Sequence, residues 1–237
     1  MEDKIAKERL NIFLIVDTSK SMGGTRIQQV NSAIKDIKNY LVDLENENSC
    51  VDFYLSIIEF SSIGKYYQNQ KMINVKELNV TDIKVGGWSN LECGYEKLED
   101  LLAKESKGGI MPDFGGAAPI ILLLTDGHPT TLKYKEELDK LKKIPWFRVA
   151  LRYGIAIELN DNRTIGVLKE FVGNAGDVIE CYEASILKNI IKVIVLTASK
   201  VKSTSSNVSY SSNQNNQNAQ VKQEIAQALS DVENWEW

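Results

Sequence analysis

Two short apolar runs, each closed by an aspartate, constrain this chain more than any other feature. They are Asn11–Asp17 and Ile120–Asp126. An uninterrupted apolar run of this length suits a β-strand covered on both faces, as in a parallel sheet layered between helices. The segments around them carry the other periodicity. From about Arg26, the residues Ile27, Val30, Ile34, Ile37, Leu41 and Leu44 recur at three- and four-residue steps. That spacing makes one apolar stripe on a helix, and Thr25 with Gln28 fits a capping box at its start. Val51–Phe60 reads as a second strand, Ser61–Gly64 as a turn and Lys65–Ile73 as a partner strand. Such a short link permits only an antiparallel return.

The same pattern continues along the chain. A helix from Ser89 carries Leu91, Tyr95, Leu98 and Leu102, and a Gly- and Pro-rich loop follows over Gly108–Pro119. Ile120–Thr125 is a buried strand, Tyr134–Lys143 a helix, Arg148–Ile157 a strand and Arg163–Val172 a helix. Asp177–Cys181 reads as a last strand and Ser185–Ser199 as a closing helix. Strands alternating with helices predict an α/β domain over 1–201, with a mostly parallel sheet, one antiparallel edge strand and helices on both faces. Residues 202–220 are rich in Ser, Asn and Gln and read as a flexible linker. Residues 221–237 read as an amphipathic helix, with Val221, Ile225, Ala228, Val232 and Trp235 on one face. Such a helix is expected to dock on its own chain, on another copy or on a partner.

Composition removes several functions. Lys and Arg number 28 against 32 Asp and Glu, a net charge of −4, whereas phosphate contacts need clustered cations. A nucleic-acid binder is not expected. The Met1–Leu10 start is charged rather than apolar, and no run is long enough to cross a bilayer. We therefore expect no membrane association and a cytoplasmic location. Cys50, Cys93 and Cys181 are widely separated and match no zinc or redox spacing, so three buried thiols in a reducing compartment are expected. His128 is the one histidine, which excludes a His-rich metal site. As a lone unpaired histidine it reads first as a loop residue.

The chemistry gathers at the two acidic strand ends. Ligands of open α/β sheets bind beyond the carboxyl ends of the strands, where the strand order reverses. If the two runs are neighbours, Asp17 and Asp126 converge, and two close carboxylates repel unless a cation or proton lies between them. Ser19 and Ser21 add hydroxyl oxygens two and four residues after Asp17, and Gly23 and Gly24 let the loop turn into the helix. Oxygen ligands without His or Cys favour magnesium, with calcium and manganese as admissible substitutes. Each residue also has a plainer role: Asp17 and Ser19 as Asx or Ser turns, Asp126-Gly127 as a turn dipeptide, and Ser89 with Glu92 as a capping box. Trp88 is equally plausible as a packing residue, and Lys20 as a solvated charge.

The constellation resembles the von Willebrand factor A (VWA) domain and its metal-ion-dependent adhesion site. Asp17, Ser19 and Ser21 match that family's Asp-x-Ser-x-Ser pattern, and Asp126 matches its later aspartate in Thr-Asp-Gly. Ser89 stands where the family has a threonine, so the hydroxyl is kept while the methyl that restricts its rotamers is lost. The resemblance covers roughly Asn11 to Lys200. It implies the Rossmann-like doubly wound VWA fold, a magnesium held by Asp17, Ser19, Ser21, Ser89 and Asp126, and no enzymatic activity. It also implies a protein partner that offers an Asp or Glu to the metal. Leu55–Phe60 and Thr125–Thr130 are most similar to bacterial TerY-like proteins of tellurite-resistance and stress systems. That similarity implies an adaptor working with a serine/threonine phosphatase and a protein kinase. The alternative is a magnesium-dependent phosphoryl-transfer enzyme with Asp17 as nucleophile, although such enzymes need a second acid where this chain has Ser19.

Overall fold

A computed structural model describes residues 7–47, 51–158, 161–173 and 178–182, together with Leu187, Asn189, Lys192, Val193, Gln223 and Gln227. Its strands are β1 (Glu8–Asp17), β2 (Val51–Phe60), β3 (Gly64–Tyr66), β4 (Ile73–Asn74), β5 (Ile120–Thr125), β6 (Leu151–Ile157) and β7 (Val178–Cys181). The helices are α1 (Thr25–Glu47), α2 (Leu91–Leu102), α3 (Tyr134–Leu141), α4 (Pro145–Val149) and α5 (Asn162–Val172). The sheet runs β3-β2-β1-β5-β6-β7, and β4 extends the β2 edge beside β3. β2, β1, β5, β6 and β7 are parallel, while β3 and β4 run antiparallel to β2. The strand order reverses across β1, between β2 and β5. The crevice expected for a ligand therefore opens at the carboxyl ends of β1 and β5.

Alternation along the central strands sorts their side chains into two cores. Leu10, Ile12, Leu14 and Val16 of β1 pack with Ile120, Leu122 and Leu124 of β5 against the α1 stripe of Ile27, Val30, Ile34, Ile37 and Leu41. Phe13 and Ile15, with Ile121 and Leu123, face Leu91, Tyr95 and Leu98 of α2, Leu138 of α3 and Leu168 of α5. Both faces of these strands are dry, which is why they read as continuous apolar runs. The parity also carries Asp17 and Thr125 onto the α2 side, at the ends of neighbouring strands whose register pairs Val16 with Leu124. The sequence thus sets the position of the site through the period of two along a strand.

Several local features differ from the sequence reading. The expected strand Lys65–Ile73 is two short pieces separated by a single 3-10 turn at Tyr67–Asn69. Gln68 and Asn69 there take left-handed φ angles of 53° and 58°, which no strand accommodates. Arg148 lies in α4 rather than in a strand. Pro145 occupies the first helical turn, where its missing N–H costs nothing. The strand begins at Leu151 instead, and the buried Arg152 beside it donates from its guanidinium to the carbonyls of Phe147, Phe171 and Val172. Burial pushes its pKa down to about 10. Thr25 is the first residue of α1 rather than the cap before it, and its hydroxyl donates to Glu158 Oε1 at 3.4 Å. Cys181 is buried as expected, but Cys93 is only partly covered. Cys50, most of the closing helix, the 202–220 linker and all of 221–237 except Gln223 and Gln227 lie outside the described residues.

Candidate metal centre

Three loops build the centre at the carboxyl ends of β1 and β5. Asp17 ends β1, and its chain leaves through Ser19 and the turn Lys20–Met22 before entering α1. A glycine is required at the entry, because Gly24 holds a φ of 79°. The second loop enters α2 and is pinned by backbone bonds: Gly86 N–H donates to the Thr18 carbonyl at 2.8 Å, and Lys20 N–H to the Gly87 carbonyl at 3.2 Å. Gly87 is also left-handed, at 80°, and a β-carbon there would lie 2.6 Å from Ser62 Oγ. The third loop follows β5, and its Thr130 N–H donates to the Ser89 carbonyl at 2.7 Å.

These constraints bring all five selected residues into one hydrogen-bonded cluster. Asp17 Oδ1 accepts from the Ser19 backbone N–H at 2.8 Å. Asp17 Oδ2 accepts from Ser89 Oγ at 2.8 Å and from Thr125 Oγ1 at 2.8 Å. Ser19 Oγ and Ser21 Oγ are 3.0 Å apart, and Ser21 Oγ donates to Asp126 Oδ1 at 2.8 Å. The second Asp126 oxygen, Oδ2, accepts from Arg26 Nη1 at 2.7 Å, and Arg26 Nε donates to Glu158 Oε2 at 3.2 Å. The plainer role of Ser89 is not what the structure contains. Asn90 holds the capping position of α2, and Glu92 accepts from Thr131 Oγ1 at 2.9 Å.

Burial dominates the electrostatics of this cluster. It pushes the Asp17 carboxyl above its ordinary range, against hydrogen bonds from Ser19, Thr125 and Ser89 that pull the other way. A cation beside a buried carboxylate offsets that desolvation. The donor set consists of two carboxylates and three hydroxyls without nitrogen or sulfur, and it fits a hard divalent cation. Among the described residues no group of three or more His, Cys, Asp or Glu is placed to hold a metal, and this centre combines two acids with hydroxyls instead.

Two residues of the network were not marked by the sequence pattern. Thr125 looked like the end of an apolar strand, yet strand parity and its place beside Asp17 could have identified it. Arg26 lies off the α1 stripe, and no periodic signal separates it from other surface arginines. His128 stands apart, with Nδ1 3.6 Å from Asp161 Oδ2 at the start of α5. Lys20 and Trp88 are exposed beside the cluster.

Comparison with known proteins identifies the fold and the family. Sequence relatives include inter-alpha-trypsin inhibitor heavy chain H1 of Sus scrofa, 26% identical over 132 residues, covering 53% of this chain and 14% of that one. Heavy chain 4 of Mus musculus is 28% identical over 127 residues, covering 51% and 12%. The match thus spans a small part of those longer proteins. Among solved structures, proximal thread matrix protein 1 of the mussel byssus, with a zinc-occupied MIDAS motif, superposes with a TM-score of 0.55 at 16% identity. That likeness covers 82% of this chain and 48% of the other. The pilus adhesin SpaC of Lactobacillus rhamnosus GG gives 0.54 at 14% identity, over 93% and 30%. At such identities the structural likeness establishes the fold. Residues 11–165 match the family model of the von Willebrand factor type A domain, and the chain belongs to that family.

Proposed function

We infer that the chain is a protein-binding module that takes a partner's carboxylate through a divalent cation. Asp17, Ser19, Ser21, Ser89 and Asp126 would hold the ion, with magnesium as the expected metal and calcium or manganese as substitutes. The observation that carries this reading is the linkage of two carboxylates from adjacent strand ends through the Ser19 N–H and the Ser19 and Ser21 hydroxyls, with Ser89 Oγ as a further donor to Asp17. When bound, the cation supplies a Lewis-acidic position for an external Asp or Glu oxygen. The chain's own residues do the rest. Thr125 and the Ser19 N–H fix the Asp17 carboxylate, the pinned 86–90 loop sets Ser89, and Arg26 balances the buried Asp126 charge while no cation is bound. Having only two carboxylates leaves the centre short of negative charge, which favours a third from a partner.

The same cluster argues against phosphoryl transfer. Ser19 stands where a second acid would be needed. We therefore read the module as non-catalytic. The segments Leu55–Phe60 and Thr125–Thr130 support the narrower reading, a TerY-like cytoplasmic adaptor in a bacterial tellurite-resistance or stress system. A serine/threonine phosphatase and a protein kinase are its expected partners.

The test is affinity capture from lysate of the native host, with magnesium or with EDTA, using wild-type chain and Asp17→Ala. Partners retained by wild type in magnesium should be lost in EDTA and with the variant. Identical capture in all four conditions would reject a metal-dependent interaction.

A further inference from the structure

Among the described residues six large apolar side chains are exposed, and four of them, Ile63, Val85, Trp88 and Leu132, sit on the loops around the candidate metal centre. Trp88, Ile63 and Leu132 leave 71%, 66% and 74% of their surfaces in water. The loops that carry them are bonded to one another. Trp88 N–H donates to Ser62 Oγ at 3.0 Å, and Asn90 N–H to the Ser61 carbonyl at 3.1 Å. Thr130 N–H reaches the Ser89 carbonyl at 2.7 Å, and a β-carbon on Gly23 would lie 3.8 Å from Val85 Cγ2. Single exposed apolar residues are ordinary. Four on mutually bonded loops around one crevice form a contact surface. Lys20 adds an exposed positive charge on the same rim. The surface therefore fits a ligand whose carboxylate is flanked by bulky apolar side chains and carries no neighbouring base.

The chain contains such a segment. Asp231–Trp237 has three acids, no base, and two of the four tryptophans of the whole sequence, with Glu236 lying between Trp235 and Trp237. Reach does not limit it. Val193 packs against the domain core, and residues 202–220 alone span up to about 60 Å when extended. A domain of this size is about 40 Å across. A tethered ligand also acts at an effective concentration on the order of millimolar.

We propose that Asp231–Trp237 is an internal ligand of this centre, with Glu236 directed to the cation and its two flanking indoles to the Ile63, Trp88 and Leu132 rim. A free partner then has to displace the chain's own segment. This inference rests on the metal-dependent reading above.

The test titrates a fluorescent peptide of the Asp231–Trp237 sequence into the full chain and into the full-chain variant Trp235→Ala/Glu236→Gln/Trp237→Ala. Each titration is read by anisotropy in magnesium and in EDTA, with calorimetric magnesium titration of the same proteins. The peptide should bind the variant at least tenfold more tightly than wild type, because the altered segment no longer competes. EDTA should abolish binding, and Trp88→Ala in the variant background should weaken it at least fivefold. Equal affinity for both chains, binding that persists in EDTA, or indifference to Trp88→Ala would overturn the proposal. So would a wild-type dimer that the variant loses, since the segment would then serve a second copy. Magnesium binding without peptide binding rejects the internal ligand alone. No magnesium binding rejects the metal-dependent reading, and the internal ligand with it.

Discussion

Arg26 gives the sharpest quantitative test of the centre's electrostatics. Its guanidinium donates to Asp126 Oδ2 at 2.7 Å and to the Ser21 carbonyl at 3.0 Å, with Glu158 as its second acidic partner at 3.2 Å. The Asp126 side chain is fully buried, while Arg26 keeps 31% of its side chain exposed. Opposite charges about 4 Å apart attract by about 4 kcal/mol at an effective dielectric of 20. Solvent around Arg26 and its division between two acids reduce the net value to about 1 kcal/mol. A loaded centre makes Asp126 share its charge between Arg26 and the metal. Arg26→Gln should therefore raise magnesium affinity by about fivefold, the equivalent of 1 kcal/mol. The metal-free variant should lose about the same stability, lowering Tm by roughly 2–4 °C for a domain of this size. Excess magnesium should close most of that gap by mass action. Calorimetric titration and scanning calorimetry with and without magnesium measure both effects. Weaker magnesium binding in Arg26→Gln would refute competition and assign Arg26 to orienting Asp126.

Other substitutions separate the parts of the structure. Asp126→Ala should weaken magnesium binding at least tenfold by calorimetry, since one of only two carboxylates is removed. Thr125→Val deletes the buried donor to Asp17 Oδ2, so chemical denaturation should show a loss of about 1–2 kcal/mol. Asp161→Ala removes the side-chain cap of α5, which accepts from the Arg163 N–H at 3.1 Å; a loss of about 1 kcal/mol with unchanged magnesium affinity is expected. Gly64→Ala places a β-carbon 2.2 Å from the Cys93 carbonyl oxygen. It should destabilise the chain by about 1–3 kcal/mol through a forced separation of β3 from α2.

The fold was legible where burial imposes a period. Val51–Phe60 and Ile120–Thr125 have the bounds read from the sequence, and the α1 stripe is the face that packs. Legibility failed where backbone conformation rather than burial decides. Between the β3 and β4 registers on β2, the chain carries four residues more than the strand it faces. Asn69 is a residue type that tolerates the left-handed region, but nothing in Lys65–Ile73 marks Gln68 as left-handed. Arg152 was equally opaque, because two of its three carbonyl partners, those of Phe171 and Val172, lie 19 and 20 residues away. In the candidate centre, Asp17, Ser19, Ser21 and Asp126 were visible through their spacing after apolar runs, and Ser89 only through the family resemblance. Thr125 was hidden by its apolar context. Arg26 was hidden because an ion pair across 100 residues leaves no local pattern.

The most direct test of the central claim is the anomalous scattering of a crystal of the full chain grown with manganese. The account predicts one strong peak between the β1 and β5 loops, contacting Ser19 and Ser21 with Asp17 and Asp126 facing it, and no such peak for Asp17→Ala. A wild-type crystal with no peak there, or with manganese bound only at surface carboxylates, would contradict it.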